Sequence, residues 1–218
     1  MKVITTTSDK SKTVYSEHFG EHYHSSFGAR TESEHIFIDA GLRYKTKVKN
    51  NISIFEMGFG TGLNALMTYK YALENKLSIS YFAVEAFPLS ETEIKELEYP
   101  KLLEINPEIF FLMHNSKSIK NKLSNNFCLE LIRDKIENTT LKENYFDLVF
   151  YDAFSPDAQP ELWTEKIFEK VYFAMKEGGV LTTYSCKGLV KRNLKRCGFS
   201  IEKLPGPPGK REFLRAFK

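Results

Sequence analysis

A repeated alternation of apolar runs with amphipathic segments constrains the fold of this chain most. Five β-rich runs alternate with segments of helical spacing such as 64–74, 90–97 and 164–175. The runs cover 52–57, 79–84, 127–132, 146–151 and 180–184. Parallel neighbours need crossover connections, which are usually helices, so the alternation predicts an α/β fold with a doubly wound, mostly parallel sheet. Two last runs, 199–204 and 212–217, flank PGPPGKR and predict a C-terminal antiparallel hairpin.

The first fifty residues do not continue this alternation. We therefore treat 1–50 as a small N-terminal extension and 51–218 as the main domain. The extension is rich in aromatic and histidine side chains, and its run HIFID at 35–39 predicts one short strand. At 218 residues the chain is long enough to bury one full core.

Composition narrows the class of protein. Hydrophobic residues make up 42% and charged residues 27%, as in globular domains. No apolar run approaches the roughly 20 residues that cross a bilayer, and the start MKVITTTSDKSK lacks the apolar core of a signal peptide. The three cysteines form no Cys-x-x-Cys pair, which argues against disulfides and structural zinc. We expect a cytoplasmic protein with no membrane partner.

An acidic residue lies at or just beyond the end of each of the first four strands. These residues are Glu56, Glu85, Asp134 and Asp152. Ligands of doubly wound sheets bind at the carboxyl ends of the strands. The four acids therefore predict a binding site at this edge of the sheet.

The first strand runs into a loop with glycines at three alternate positions, FEMGFGTGLN at 55–64. Glycine allows a positive φ and, without a β-carbon, lets backbone pass close to a ligand. The spacing is not a dinucleotide fingerprint, since Leu63 takes the place of its third glycine, and a phosphate loop would need a lysine that is absent. The loop, with an acid ending the second strand, resembles the class I S-adenosylmethionine-dependent methyltransferases. That resemblance implies a Rossmann-like fold.

The resemblance also implies how S-adenosylmethionine, the methyl donor, is bound. In that family the glycines admit the methionine part and the ribose, and the acid after the second strand accepts both ribose hydroxyls. The acid after the third strand lies near the adenine amino group. The residues expected to bind the cofactor are Glu56, Gly58, Gly60, Gly62, Asn64, Glu85, Asp134 and Asp152.

The fourth strand ends in VFYDAFSPDAQPELW at 149–163, where Asp152 opens a loop with two prolines. Methyl transfer from a sulfonium needs orientation and a dry site more than acid–base help. A carboxylate followed by loop carbonyls holds the N–H groups of an amine, and this layout is similar to the loop of many amino-methyltransferases. We predict Asp152 and Ser155 as catalytic residues. A cap that only orders the loop is the simpler interpretation of Asp152.

Later segments narrow the resemblance. YDAFSPDAQPELW, GGVLTTYSCKGLVKRNLKRCGF, GPPGKREFLRA and the N-terminal TVYSEHFGEHYHSSFGARTESEHIFIDAGL are similar to the methyltransferase half of the bacterial bifunctional tRNA 5-methylaminomethyl-2-thiouridine biosynthesis proteins, the MnmC family. The resemblance covers nearly the whole chain. It implies N-methylation of the aminomethyl group of 5-aminomethyl(-2-thio)uridine at the tRNA wobble position. That family continues into a flavin-dependent oxidase, which lies outside residues 1–218, so we expect a separate enzyme to supply the aminomethyl-uridine.

Positive charge is concentrated near the C-terminus. Between Lys187 and Lys218, ten Lys and Arg face two acids, a balance of +8 in a chain of net +3, so the rest carries −5. Such segregation attracts a polyanion, here the anticodon stem-loop of tRNA, although a solvated Lys-rich hairpin explains the charge equally well. The expected phosphate contacts are Lys187, Lys191, Arg192, Lys210 and Arg211. The side chains that could stack on the target base, or only pack the core, are Phe154, Trp163 and Tyr184.

The extension is expected to lie as a lid over the donor pocket. Its Tyr15, Tyr23 and His24 are predicted to line the pocket, with residues 25–29 and Glu34 also touching donor or substrate. Histidines 18, 22 and 24 form H-x3-H-x-H, but no matching carboxylate arrangement accompanies them and methyl transfer to an amine needs no metal. We predict no metal site.

Three functions stay open on the sequence. The first is the tRNA amine methyltransferase, and the second keeps the methyltransferase fold but acts on a small amine or another RNA. The third is a non-catalytic RNA-binding module with a decayed donor site. The intact glycines at 58, 60 and 62, together with Glu85, argue against the third.

Overall fold

The computed structural model describes residues 2–115 and 121–218. The strands are β1 (Lys2–Thr6), β2 (Lys12–Ser16), β3 (Glu21–His22), β4 (Asn51–Met57), β5 (Ser78–Val84), β6 (Asn121–Ser124), β7 (Phe127–Ile132), β8 (Phe146–Tyr151), β9 (Met175–Thr183), β10 (Ser200–Pro205) and β11 (Glu212–Phe217). The α-helices are α1 (Ala29–Ser33), α2 (Tyr44–Thr46), α3 (Leu63–Glu74), α4 (Glu91–Leu97), α5 (Tyr99–Leu103), α6 (Pro107–His114), α7 (Glu165–Ala174) and α8 (Gly188–Arg196). A π-helical segment, Glu34–Arg43, joins α1 to α2, and a 3-10 helix spans Pro160–Trp163.

Eight strands form the main sheet in the order β10-β11-β9-β8-β4-β5-β7-β6. The five central strands, from β9 to β7, are parallel to one another, whereas the C-terminal β10–β11 hairpin pairs antiparallel with β9. The order reverses at β4, since β5 lies on one side of it and β8 on the other. The predicted Rossmann-like, doubly wound sheet with a C-terminal hairpin is confirmed.

The sheet is covered on both faces because its strands bury both sets of side chains. On β4, Ile52 and Ile54 join an apolar cluster with the π-helical segment and α3–α6, while Phe55 and Met57 join a second cluster with α7 and α8. Successive side chains of a strand point to opposite faces. Burying each of these side chains contributes about 1.5–3 kcal/mol.

The helix that follows β5 shows how local sequence sets an element. Ser90 Oγ accepts the backbone N–H of Glu93, and the Glu93 carboxylate accepts the N–H of Ser90, which completes a capping box. Ile94 and Leu97 then bury the inner face of α4. A capping residue of this kind is worth about 1 kcal/mol.

The predicted strand at 35–39 is wrong, because these residues lie in the π-helical segment. Ile36, Phe37 and Ile38 are all buried, since the segment lies directly on the sheet. A β-carbon at Gly41 would approach Phe150 to 3.1 Å, which shows how close the helix and β8 are. Three adjacent apolar residues are buried here because the helix is covered on several sides. A short apolar run of this kind is also typical of a buried strand, so the sequence pattern alone does not distinguish the two.

The glycine pair 178–179, which stands between the predicted helical segment 164–175 and the predicted strand 180–184, lies within a strand. Strand β9 begins directly after α7 and contains both glycines, and the pairing of β8 with β9 changes register between Phe146 and Leu148. Gly178 has φ +69°, which suits this irregularity.

The N-terminal residues form their own antiparallel sheet, β1-β2-β3, which the sequence did not predict. Across the described ranges, no helix combines the length and apolar character needed to cross a membrane.

Candidate active site

A cavity of about 430 Å³ opens at the carboxyl ends of β4, β5 and β8, where the strand order reverses. Its volume lies within the roughly 300–1,000 Å³ of small-molecule sites, and its position is the one where doubly wound sheets bind ligands. Segments far apart in sequence form its wall. They are 21–26 with Glu32, the glycine loop, 84–87, 134–137, 152–155 with Gln159, Glu161 and Leu162, then Tyr184 and Lys210.

Two of the three loop glycines line this cavity. Gly58 has φ +83°, and a β-carbon there would lie 2.7 Å from the carbonyl oxygen of Asp152. Gly60 has φ +53°, and its β-carbon would touch the ring of Tyr23. Both positions therefore require glycine, and the bare backbone leaves the cavity floor open.

The third glycine serves a different purpose. Gly62, at φ +74°, precedes the first turn of α3, and a β-carbon there would meet His114 and Phe59. It does not line the cavity in the described part of the chain. The positive φ and this tight packing explain why glycine stands at 62.

The acids after β5 and β7 both face the cavity. Glu85 is buried, and its carboxylate accepts the N–H of Gly60 at 2.7 Å and that of Phe87 at 2.6 Å. Burial raises the pKa of Glu85, while those two N–H groups oppose the rise. Asp134 lies at the rim and accepts hydrogen bonds from Lys135 N–H and the Asn138 amide.

Asp152 stands at the head of a polar chain that leads into the core. The Asn64 amide donates to Asp152 Oδ2 at 2.8 Å and to Glu56 Oε1 at 3.0 Å. Glu56 is fully buried, and burial raises its pKa well above the usual range, with the Asp152 charge adding to the effect. Glu56 and Asn64 lie behind the cavity wall and Asp152 lies in it. The three residues are thus joined, but only one reaches the cavity.

Burial raises the pKa of Asp152 to about 7, with the Glu32 charge adding to the rise and the Asn64 amide opposing it. A carboxyl group with such a pKa exchanges a proton near neutral pH. The interpretation of Asp152 as a simple cap does not account for its place in the cavity wall, since its own side chain faces the polar chain and the cavity.

The loop after β8 is tied to the N-terminal extension. Ser155 donates both its N–H, at 3.2 Å, and its hydroxyl to the Glu21 carboxylate. The rings of Phe154 and Phe19 stack with centroids 4.2 Å apart. Phe154 and Tyr184 remain half-buried in the cavity wall, where both are open to a ligand.

Of the two roles that the sequence left open for Trp163, stacking on a base and packing the core, the structure shows core packing. The Trp163 side chain is 0% exposed, and its indole N–H donates to the Phe154 carbonyl at 2.8 Å. The rings of Tyr151 and Phe168 lie against it in the second apolar cluster. Its role is to anchor the loop from within the core.

The extension contributes more to the cavity than its sequence indicated. Tyr23 and His24 line the wall as predicted, but Tyr15 and Glu34 do not; Tyr15 packs on His22, and Glu34 pairs with Arg43. Burial lowers the pKa of His24 to about 4, so its ring is neutral. Glu21 and Glu32 also line the wall, although no local motif marks either residue in the sequence.

The predicted phosphate contacts do not form one surface. Lys191 and Arg192 line a shallow groove between α8 and β10 together with Lys195 and Lys203, which the sequence analysis did not select. Lys187 pairs with Asp157, and Arg211 is exposed. Lys210 instead turns into the cavity, where it pairs with Glu32.

A family model shows the class of protein to which the chain belongs. Residues 101–218, more than half of the chain, match a family described as S-adenosyl-L-methionine-dependent methyltransferase. Among curated proteins, the chain is 32% identical over 216 residues to the tRNA 5-methylaminomethyl-2-thiouridine biosynthesis bifunctional protein MnmC of Leptospira interrogans, covering 93% of this chain and 33% of that protein. The protein of the same name from Nitrosospira multiformis is 29% identical, covering 93% of this chain and 35% of its own length. The chain therefore spans about one third of the curated relatives it matches.

Solved structures of similar proteins share the fold of this chain. The crystal structure of MNMC2 from Aquifex aeolicus is 26% identical, with a TM-score of 0.82 over 100% of this chain and 70% of that one. Spermidine synthase from Thermotoga maritima shares the fold, with 12% identity and a TM-score of 0.54 over 100% of this chain and 78% of its own.

Proposed function

Because the chain belongs to the family of S-adenosyl-L-methionine-dependent methyltransferases, we propose that it methylates the aminomethyl nitrogen of 5-aminomethyl(-2-thio)uridine at the wobble position of tRNA. S-adenosylmethionine is its methyl donor. The substrate rests on the names of the relatives, which the chain matches over 93% of its length, and on the acidic cavity, which suits an amine. We further propose that a separate enzyme supplies the aminomethyl-uridine.

The single observation that carries this proposal is the position of Asp152. Asp152 and Gly58 both line the cavity, and they are adjacent, since a β-carbon on Gly58 would lie 2.7 Å from the backbone carbonyl oxygen of Asp152. A nitrogen acceptor held by Asp152 is therefore adjacent to whatever the glycine loop holds. In-line displacement requires just such proximity of the reacting atoms.

The cavity fits S-adenosylmethionine by the residues it presents. We divide it into a donor half, formed by Gly58, Gly60, Glu85 and Asp134, and an acceptor half, formed by Glu21, Glu32, Asp152, Tyr184 and Lys210. In the donor half, glycine backbone leaves room that any side chain would fill, and Glu85 offers a carboxylate to hydroxyl groups. When bound, the donor supplies an electrophilic methyl group on a sulfonium.

The proposed chemistry of the chain itself is orientation and proton transfer. The Asp152 carboxylate takes a proton from the acceptor ammonium and leaves a neutral amine with a free lone pair. That lone pair would then be free to accept the methyl group that S-adenosylmethionine, held by the glycine loop and Glu85, would supply. The buried Asn64 amide, 2.8 Å from Asp152 Oδ2, fixes the carboxylate in position. Ser155 helps to hold the loop against the extension through Glu21.

We propose that the extension, residues 1–50, acts as a lid over the donor pocket and over the acceptor half beside it. Glu21 is tied to Ser155, and the Tyr23 ring lies over Gly60. Such a cover keeps water from the reacting amine. The basic groove with Lys191 and Arg192, on the helix that follows Tyr184, is proposed to contact the phosphates of the anticodon stem-loop. Lys187 and Arg211, which do not line that groove, are proposed as separate phosphate contacts.

A methylation assay on defined tRNA tests the proposal. Purified enzyme and S-adenosylmethionine are incubated with tRNA that carries aminomethyl-uridine and with the same tRNA lacking it, and digested nucleosides are analysed by mass spectrometry. We expect methylaminomethyl-uridine only from the first tRNA. Methylation of the unmodified uridine, or of neither tRNA, would contradict the proposed substrate.

A further inference from the structure

The Lys210 side chain points into the cavity, although it belongs to an exposed loop of the C-terminal hairpin. Its ammonium lies 2.6 Å from Glu32 Oε1 and 4.1 Å from the centroid of the Tyr184 ring. Glu32 and Tyr184 both line the cavity, and Lys210 itself is about one quarter exposed, with a side-chain exposure of 25%. The acceptor half therefore already holds a primary ammonium group, which the chain itself supplies.

The surroundings of this ammonium favour a cation. Glu32 is only 6% exposed, and its second carboxylate oxygen accepts the N–H of Ser25 at 2.7 Å, which fixes the side chain. The Tyr184 hydroxyl donates to the Ala153 carbonyl at 2.8 Å, which fixes the ring. A carboxylate and an aromatic face attract an ammonium together, the first by charge and the second by its quadrupole.

The charge of the whole cavity also favours a cation. Its wall contains seven acids and two lysines, although the chain carries a net charge of +3. The acids are Glu21, Glu32, Glu85, Asp134, Glu137, Asp152 and Glu161. Low-dielectric walls concentrate the electric field of such groups. The cavity therefore attracts a cationic ligand far more strongly than it attracts a neutral ligand of the same shape.

Resting on the function proposed above, we propose that the Lys210 ammonium marks the subsite of the acceptor nitrogen, and that Glu32 and Tyr184 select an acceptor bearing a primary ammonium. The incoming ammonium replaces Lys210 against Glu32 and the ring. Lys210 then turns outward, which its partial exposure and its position in a loop permit. The pair of Glu32 with Lys210 is thus a resting state of the recognition site.

This assignment gives the two members of one ion pair opposite effects. Loss of the Glu32 charge removes the recognition element and weakens binding of the cationic acceptor. Loss of the Lys210 charge removes an internal competitor and strengthens it. If the ion pair only joined the extension to the hairpin, loss of either charge would change the affinity for the acceptor in the same direction.

Two nucleosides test the proposal, 5-aminomethyluridine, which is a cation at pH 7, and the neutral 5-hydroxymethyluridine of nearly the same shape. Their affinities for the full chain saturated with S-adenosylhomocysteine are measured by calorimetry. Glu32→Gln is expected to lower the affinity for the aminomethyl nucleoside about tenfold and to leave that of the hydroxymethyl nucleoside unchanged. Lys210→Met is expected to raise the affinity for the aminomethyl nucleoside severalfold.

The matched control is Lys12→Met. Lys12 pairs with Glu98 and also joins the extension to the main domain, but neither residue lines the cavity. It should leave both nucleoside affinities unchanged. A lower affinity of Lys210→Met for the aminomethyl nucleoside would overturn the proposal. The measurement on Lys210→Met tests the proposal even if Glu32→Gln does not fold.

The experiment separates this inference from the proposed function. If the wild-type enzyme methylates tRNA carrying aminomethyl-uridine but Glu32→Gln still prefers the cationic nucleoside as strongly as the wild type, only the subsite is wrong. If the wild-type enzyme neither methylates that tRNA nor distinguishes the two nucleosides, the proposed function itself fails.

Discussion

The two halves of the cavity are built in different ways. The donor half comes from consecutive strand ends of the central sheet, each delivering its residue within a few positions of the strand. The acceptor half brings together the N-terminal extension, the loop after β8 and the C-terminal hairpin, so that Glu32 and Lys210 meet across 178 positions of sequence.

This difference shows what each half depends on. Residues at neighbouring strand ends are brought together by the sheet itself, because parallel strands deliver their carboxyl ends to one edge. In the acceptor half, Asp152 and Tyr184 also directly follow central strands, β8 and β9. Glu21, Glu32 and Lys210, in contrast, depend on how the extension and the C-terminal hairpin pack. We therefore expect substitutions in the donor half to change donor binding, and those in the acceptor half to change turnover and acceptor selection.

The largest effect is expected at the boundary between the halves. Asp152→Ala removes the group that takes the proton and aims the amine, and should lower kcat on the order of 10²-fold or more while leaving the Kd for S-adenosylmethionine nearly intact. Asp157→Ala, in the same loop but exposed, is the control. Single-turnover kinetics and calorimetry measure both quantities, and an equal loss of donor affinity would move Asp152 into the donor half.

Next in size is a change confined to the donor half. Gly58→Ala introduces a β-carbon 2.7 Å from the Asp152 carbonyl oxygen at φ +83°, and should weaken donor binding about tenfold or more. Gly178→Ala places the same residue at φ +69° with open space around it, and so imposes backbone strain outside the cavity. Calorimetric titration should show weaker donor binding only in the first variant. Equal donor binding in both would mean that the glycine loop does not carry the donor.

The pH dependence tests the acceptor half. The pKa of Asp152 is raised to about 7, so the carboxylate that must accept the proton is lost as pH falls below that value. We expect kcat/KM to rise about tenfold per pH unit below 7 and to level off above it. The residual activity of Asp152→Asn should lack this limb. A flat wild-type profile between pH 5.5 and 8 would argue against proton transfer to Asp152.

The smallest effect is expected in the basic groove. Lys191→Ala and Arg192→Ala should each weaken tRNA binding several-fold and reduce the slope of log affinity against log salt by roughly one. Lys95→Ala, exposed on α4, is the control cation. Filter binding over a salt series measures the slope. An unchanged slope in both groove variants would mean that the tRNA phosphates bind at another surface. The basic groove would then not be part of the tRNA site that includes the acceptor half.

Sequence patterns predicted the sheet well because they depend on local spacing. The five central strands, α3, α4, α7 and the C-terminal hairpin appear where the periodicity indicated them, although β9 already begins at Met175. The run at 35–39 failed, since three adjacent apolar residues fit a buried helix as well as a strand. The sequence left open whether Trp163 packs the core or stacks on a base, and its complete burial shows that it packs the core.

The sequence by itself determined the order of strands and helices, the glycine loop and the acids that end the strands. Backbone preferences and alternation act over a few residues, so they are visible without a fold. Only the tertiary structure decided that Glu21 and Glu32 line the same cavity as Asp152, that Lys210 turns inward and that Gly62 serves packing rather than the cavity. Such contacts depend on which distant side chains are packed together, and no local pattern encodes that choice.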